Sequence, residues 1–173
     1  PCFTHGGTVR DVCPPRSFSG LPDTLYLSDG SGNFVDASDR LGGNPPSKGL
    51  GCASADIDLD GDIDIYVTND NMMNFLLINE AEQGCVEAGA SSSTGYGDTG
   101  REDGSMGVDI GDYNGDGLPD IWVTNYENET FALYRSFDGR VFQHVSRSTG
   151  ISAAGGLSVG WGTMFGDLDL DGD

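Results

Sequence analysis

Asp56, Asp58, Asp60, Asp62 and Asp64 fall within nine consecutive residues. Like charges a few ångströms apart repel, so folding them into a tight turn costs free energy unless a counter-ion is present. Side-chain oxygens stand at positions one, three, five and nine of this run, and the same positions carry Asp112, Asn114, Asp116 and Asp120 further on. A hard divalent cation is the simplest account of both runs. Calcium takes six to eight oxygens at about 2.3–2.6 Å, and alternate residues of a short loop can point to one centre. Gly61 and Gly117, at position six, permit the sharp bend. A third run opens at Asp167, continues with Asp169 and Asp171, and reaches Asp173 at the end of the sequence.

An EF-hand begins in the same way, but it needs a bidentate Glu at position twelve and a helix on each side. Position twelve is Val67 in the first loop and Val123 in the second. Each loop leads instead into Ile65-Tyr66-Val67-Thr68 or Ile121-Trp122-Val123-Thr124, β-branched and aromatic residues that favour a strand. The EF-hand reading fails on both counts. A chance acidic surface loop would explain one copy, but not two copies in register with their flanks.

Aligning Asp56 on Asp112 also aligns the stretch from Asp64 to Asn69 with that from Asp120 to Asn125. Upstream, Gly49-Leu50-Gly51, Ser105-Met106-Gly107 and Gly160-Trp161-Gly162 each read as a strand entering a loop. Downstream, Phe75 to Ile78 and Phe131 to Tyr134 give a third strand. Cys85 to Ala88 and Val141 to Val145 give a fourth. The unit is therefore four short strands in about 55 residues. Leu25 to Leu27 and Phe34 to Ala37 supply strands three and four of an earlier unit. They are joined at Ser28 to Asn33 by a hairpin sequence rich in residues that tolerate positive φ; Asp29 within it reads as a turn residue rather than a ligand. The Ser/Gly/Asp-rich stretch from Ala90 to Ser105 reads as a long surface loop. No helix of normal length is expected.

A four-strand period of 40 to 60 residues is the signature of a β-propeller blade. Phe165-Gly166 before Asp167, with Ile110-Gly111 and Ser54-Ala55 as looser versions, resembles the repeats of the FG-GAP or VCBS family, the blades of integrin α-subunit propellers. The runs 104–125 and 159–173 look like the repeats of cartilage-acidic-protein-like and UnbV-type extracellular proteins. The resemblance implies an all-β, calcium-clasped partial propeller. Its ligands map onto Asp56, Asp58, Asp60 and Asp64, and onto Asp112, Asn114, Asp116 and Asp120, with the position-seven carbonyls of Asp62 and Leu118 completing the cages. Asp167, Asp169, Asp171 and Asp173 belong to a third, incomplete loop. The expected divisions are a Cys-containing segment at 1–20, half a blade at 21–48, complete blades at 49–104 and 105–154, and the start of a further blade at 155–173.

With 28 acidic and 8 basic residues the formal charge is −20, which argues against nucleic acid or an anionic membrane as partner. No apolar run of about 18 residues is present to span a membrane. Four cysteines beside calcium loops suggest an oxidising, extracellular or cell-surface setting. Cys2 and Cys13 bracket a segment with little core-forming sequence, so a local disulfide is expected there. Cys52 and Cys85 lie on first and fourth strands, about 14 Å apart at ~4.8 Å per strand, beyond the ~4.4–6.8 Å a bridge needs. Either the blade is irregular, one of them pairs elsewhere, or both are buried thiols. Zinc is disfavoured, because no CxxC or His pair is present.

Only His5 and His144 are available as neutral-pH bases, and neither adjoins a nucleophile motif. His144 reads as a strand-surface residue, and the aspartates are better explained by calcium than by glycosidase chemistry. The expectation is a non-enzyme. Tyr66, Trp122, Trp161 and Phe165 could stack a sugar, but packing between blades is the more economical account. The function expected is an extracellular scaffold or adhesion module that contacts a protein or glycan. The alternatives are a fibre subunit associating with copies of itself and the non-catalytic propeller of a larger secreted enzyme. Asn128-Glu129-Thr130 is a glycosylation sequon between the second and third strands of a unit. Pro1 implies processing or an arbitrary start. A closed ring needs four to eight blades, so either the chain continues or copies join head to tail.

Overall fold

The computed structural model describes residues 2–3 and 6–169, and their strands form four antiparallel sheets. A two-stranded ribbon pairs β1 (Cys2–Phe3) with β2 (Arg10–Asp11), and the Cys2–Cys13 disulfide closes it with a Cα separation of 5.1 Å. A hairpin pairs β3 (Tyr26–Ser28) with β4 (Phe34–Asp36). Its turn is organised by Asp29, whose carboxylate accepts the N–H groups of Ser31 and Asn33 and the Ser31 hydroxyl. Those bonds hold the exposed carboxyl well below the usual range, the Asn33 side chain contributing most. Asp29 is a turn residue.

The third sheet runs β5 (Gly49–Ala55), β6 (Asp64–Asn69), β7 (Phe75–Asn79) and β8 (Cys85–Glu87), in that order. The fourth repeats it with β9 (Ser105–Gly111), β10 (Asp120–Asn125), β11 (Ala132–Ser136) and β12 (Phe142–His144). These are two successive propeller blades, and the chain is a partial propeller. β6 and β7 read as near-continuous apolar runs because both faces are covered. Tyr66, Leu76 and Ile78 face the next blade, where they pack with Ile121, Val123, Ala132, Tyr134 and Phe142. Val67, Phe75 and Leu77 face the other way, with Leu41 and, partly buried, Leu25 of the preceding half-blade.

Adjacent blades meet through their first strands. Thr68 on β6 donates its hydroxyl to the Met106 carbonyl on β9 at 2.6 Å, passing Gly51 on β5, where an added Cβ would stand 2.4 Å from the same oxygen. The close approach at the glycine recurs one blade later, where Thr124 donates its hydroxyl to the Gly107 carbonyl of its own blade at 3.5 Å. An added Cβ at Gly107 would lie 2.8 Å from both Thr124 Oγ1 and the Trp161 carbonyl. Residues 158–167 therefore run where a first strand was expected, tied by Gly160 N–H to the Asn125 carbonyl and by Phe165 N–H to Asp109 Oδ2. No strand forms there, because the segment has no second strand to pair with among the described residues.

Two other expectations are corrected. The stretch from Ala90 to Ser105 is a surface loop only in part: residues 99–102 are exposed, but it opens in α1 (Gly89–Ser92), and Ser92 and Thr94 are fully buried. Its carbonyls give partners to two core hydroxyls, Tyr66 to Thr94 at 2.6 Å and Tyr134 to Tyr96 at 3.0 Å. A matching turn, α2 (Ser146–Thr149), follows β12 and is tied back to β11 through Ser146 Oγ, which accepts the Leu133 N–H. Trp161 is not packed between blades but 70 % exposed, since nothing among the described residues covers that side of the segment. Tyr66 is buried as expected, and Trp122 packs 5.5 Å from Phe165.

Cys52 and Cys85 are free thiols, and neither is buried. Each borders an apolar cavity between the β3–β4 hairpin and the first complete blade; the one at Cys52, also lined by Leu25, Leu41 and Val67, has a volume of about 380 Å³. Because Cys52 is exposed while partial burial raises the pKa of Cys85, a maleimide should modify Cys52 first. Mass spectrometry under native conditions should find Cys2 and Cys13 unmodified until reductant is added. Equal labelling of all four cysteines would contradict both the pairing and the exposures.

At the end of the sheets away from the aspartate loops, Asp103 lies beside Asn125, which donates Nδ2 at 3.4 Å. Burial, with the charges of Glu129 and Asp98, raises its carboxyl from 3.8 to about 7. A carboxyl raised in the folded state binds protons that the unfolded chain has already released. Its contribution to stability is therefore present at low pH and lost as pH rises from about 4 to 7. Asp103→Asn should remove that loss and raise the melting temperature above wild type at pH 8 but not at pH 4. Parallel melting curves for the two proteins would overturn the assignment.

Candidate metal centre

Loop one, between β5 and β6, gathers three of the predicted ligands. Asp56, Asp58 and Asp64 each offer an oxygen, and these oxygens lie within 4.8 Å of one another. Ligands at 2.3–2.6 Å around one ion stand at most about 5.2 Å apart, so the spacing suits calcium. Asp56 Oδ2 accepts the Gly61 N–H at 3.1 Å, which closes the bend. Asp56 Oδ1 and Asp58 Oδ1 are buried without a hydrogen-bond partner. Buried carboxylate oxygens left unpaired are costly, and a cation would satisfy both at once. The residues present fit the group. Asp60 stands outside this cluster; its Oδ1 accepts the Asp62 N–H at 2.9 Å and shapes the turn.

Position nine has a second role that its residue type did not reveal. Asp64 is completely buried. It accepts the Ile57 N–H on Oδ2 and the Asn79 N–H on Oδ1, both at 2.8 Å, fastening the loop to the end of β7. Asp120 does the same in loop two, accepting from Tyr113 at 3.2 Å and from Ser136 at the end of β11 at 2.8 Å. Burial raises both carboxyls above the usual range, and these backbone bonds oppose the rise.

Loop two is drawn in upon itself. Asp112 Oδ1 accepts from Asn114 and Asp116, and Oδ2 accepts from Gly117 at 2.7 Å. The Gly117 bond contributes most to lowering its pKa. Asn114 Oδ1 and Asp116 Oδ1 likewise accept the N–H groups of Asp116 and Leu118. Asp112, Asp116 and Asp120 consequently do not converge as the loop-one acids do. In loop three, Asp171 and Asp173 lie outside the described residues, as does His5, so the arrangement of Asp167 and Asp169 defines no cage. Asn128 sits exposed at a φ of 66° in the turn between β10 and β11, open to the solvent as its sequon requires.

The repeat seen in these loops is matched independently. An FG-GAP-like repeat covers residues 17–67 and again residues 56–123, together more than half of the chain. The chain belongs to the FG-GAP-like repeat family. No curated protein was found to match it. FG-GAP repeats often bind calcium and are typical of extracellular proteins. The first match ends at Val67 and the second begins at Asp56, so loop one lies in both. Among the described residues no helix is long and apolar enough to cross a membrane.

Proposed function

We propose that this FG-GAP chain is a calcium-stabilised extracellular scaffold without catalytic activity, which presents its blade loops to a protein or glycan. The observation that carries the calcium reading is the loop-one cluster, in which two buried carboxylate oxygens lack any other partner. Bound calcium would supply positive charge to this cluster; Asp56, Asp58 and Asp64 would hold it, with Asp64 also tying the loop to its blade. The finer likeness of residues 104–125 to secreted repeat proteins supports an extracellular setting, as does the disulfide.

The reading as a non-enzyme is supported by the state of His144. Its ring stands edge-on to Tyr134 at 5.2 Å, and burial lowers its pKa. It is built into the blade rather than held beside a nucleophile. Calorimetric titration tests the calcium reading: saturable binding, abolished at loop one by Asp58→Asn, is expected, and no heat at millimolar calcium would refute it. A screen of glycans and extracellular proteins with and without chelator tests the scaffold role.

A second reading, a subunit that joins copies of itself, is favoured by one observation. Tyr26 and Phe34, which share one face of the β3–β4 hairpin, are 59 % and 66 % exposed, an apolar pair that a neighbouring blade would cover. Light scattering across a concentration series decides it. A constant monomer mass excludes the assembly.

A further inference from the structure

The turn between β11 and β12 reaches beyond its own blade. Gly139, at a φ of +80°, lies against loop one, where an added Cβ would stand 2.4 Å from Asp58 Cα and 2.5 Å from the Ile57 carbonyl oxygen. The next residue is Arg140. Its guanidinium donates Nε to Asp58 Oδ2 and Nη1 to Glu80 Oε1, both at 2.9 Å, and its Nη2 stands 2.6 Å from Asp58 Oδ2 in an ion pair. The Asp58 side chain is 3 % exposed and that of Arg140 51 %. A carboxylate withdrawn from water thus has one oxygen on a partly solvated cation and the other buried and unpartnered. Among the described residues no other Lys or Arg pairs with loop one.

We propose that Arg140 is a built-in counter-cation of the loop-one site. Without metal it compensates Asp58 and Glu80 and docks the neighbouring blade, and it lowers the affinity of the loop for a divalent cation. The inference rests on the calcium reading above. Two effects oppose each other. By holding Oδ2, Arg140 leaves Asp58 Oδ1 available, which would help a cation bind. Its own charge repels that cation. A pair with one half-exposed partner contributes little, whereas the repulsion involves twice the charge across carboxylates removed from water. Repulsion therefore decides the sign. The site is set toward weak binding, of the kind filled only where calcium is abundant. Loop two is approached differently: Arg135 comes from its own blade and stands 3.4 Å from Asp116 Oδ2.

The test is a calcium titration of the whole chain in an Asp112→Asn background, which weakens loop two. Arg140→Gln should bind calcium about 3- to 10-fold more tightly at low salt, since it removes a unit charge beside a dication. High salt should shrink the difference by screening. Arg140→Lys keeps the charge and should stay within about twofold of the parent. In chelator the Gln variant should melt below the parent, and in saturating calcium the gap should narrow. Starting from the calcium-loaded state, with a competing chelator, keeps the comparison valid if the metal-free variant is poorly folded. Equal or weaker binding by the Gln variant overturns the proposal while leaving the calcium reading intact. A salt-independent difference also overturns it. Absence of saturable binding in the parent overturns both.

Discussion

Asp64→Ala and Asp120→Ala are each expected to lower the melting temperature by about 5 to 20 °C, with calcium present or chelated. Each carboxylate accepts two backbone N–H groups, one from its own loop and one from the end of the third strand. Alanine leaves both donors without a partner, at about 1–3 kcal/mol for each buried group. A loss of 1 kcal/mol moves the midpoint by about 2–4 °C in a chain of this size. Removing the buried charge returns part of the loss, because burial already disfavours the ionised form. Asp64→Asn separates the two effects: it keeps one acceptor and places an amide N–H₂ against the other donor, so its midpoint should fall between those of wild type and alanine. An alanine variant that melts with wild type in chelator would show that position nine serves as a ligand and nothing more.

Chelation of the wild-type protein should lower its midpoint by about 10 °C or more, with recovery in calcium and little in magnesium. A site filled to 100 times its dissociation constant adds about 2.7 kcal/mol, and two such sites approach the whole stability of many domains, about 5–15 kcal/mol. Magnesium demands a tighter octahedral shell than a loop of carboxylates and carbonyls offers. Loop one should account for the larger share. Its oxygens already converge, whereas loop two must first release Asp112 from the Asn114, Asp116 and Gly117 amides. Asp56→Asn should therefore blunt the calcium response more than Asp112→Asn does. An unchanged melting curve in excess chelator would remove the metal from the account of this fold.

The strands were legible because they recur. Ile65 to Asn69 and Ile121 to Asn125 carry the same pattern at the same offset from an aspartate run, and both become second strands of a blade. Ligand candidates were legible for the same reason, but their state was not. Asp112 and Asp56 occupy the same position in the repeat, yet one is saturated by its own loop amides while the other keeps a buried, unpaired oxygen. That difference depends on backbone detail which residue types do not encode. The burial of Ser92, Thr94 and Gly95 escaped because Ser- and Gly-rich composition suits exposed and buried loops alike. The signal that was present lay elsewhere, in Tyr66 and Tyr134, core residues whose hydroxyls must find acceptors. Arg140 and Asp58 are 82 residues apart, and no local pattern links them.

The join between blades carries a consequence for how such chains grow. What one blade asks of the next at Thr68 is a single main-chain carbonyl, that of Met106, together with a glycine that lets it approach. Every residue type has that carbonyl. The side chain at the receiving position is therefore free to differ, and it does: methionine at 106 and tryptophan at 161 present the same group to Gly51 and Gly107. A gene segment encoding one blade can be copied or removed without matched substitutions in its neighbours at this seam, provided each copy brings its own glycine and threonine. At this one contact compatibility is inherited with the unit, whereas the apolar core between the blades, where Tyr66 and Leu76 meet Ile121 and Tyr134, must still be matched side chain to side chain.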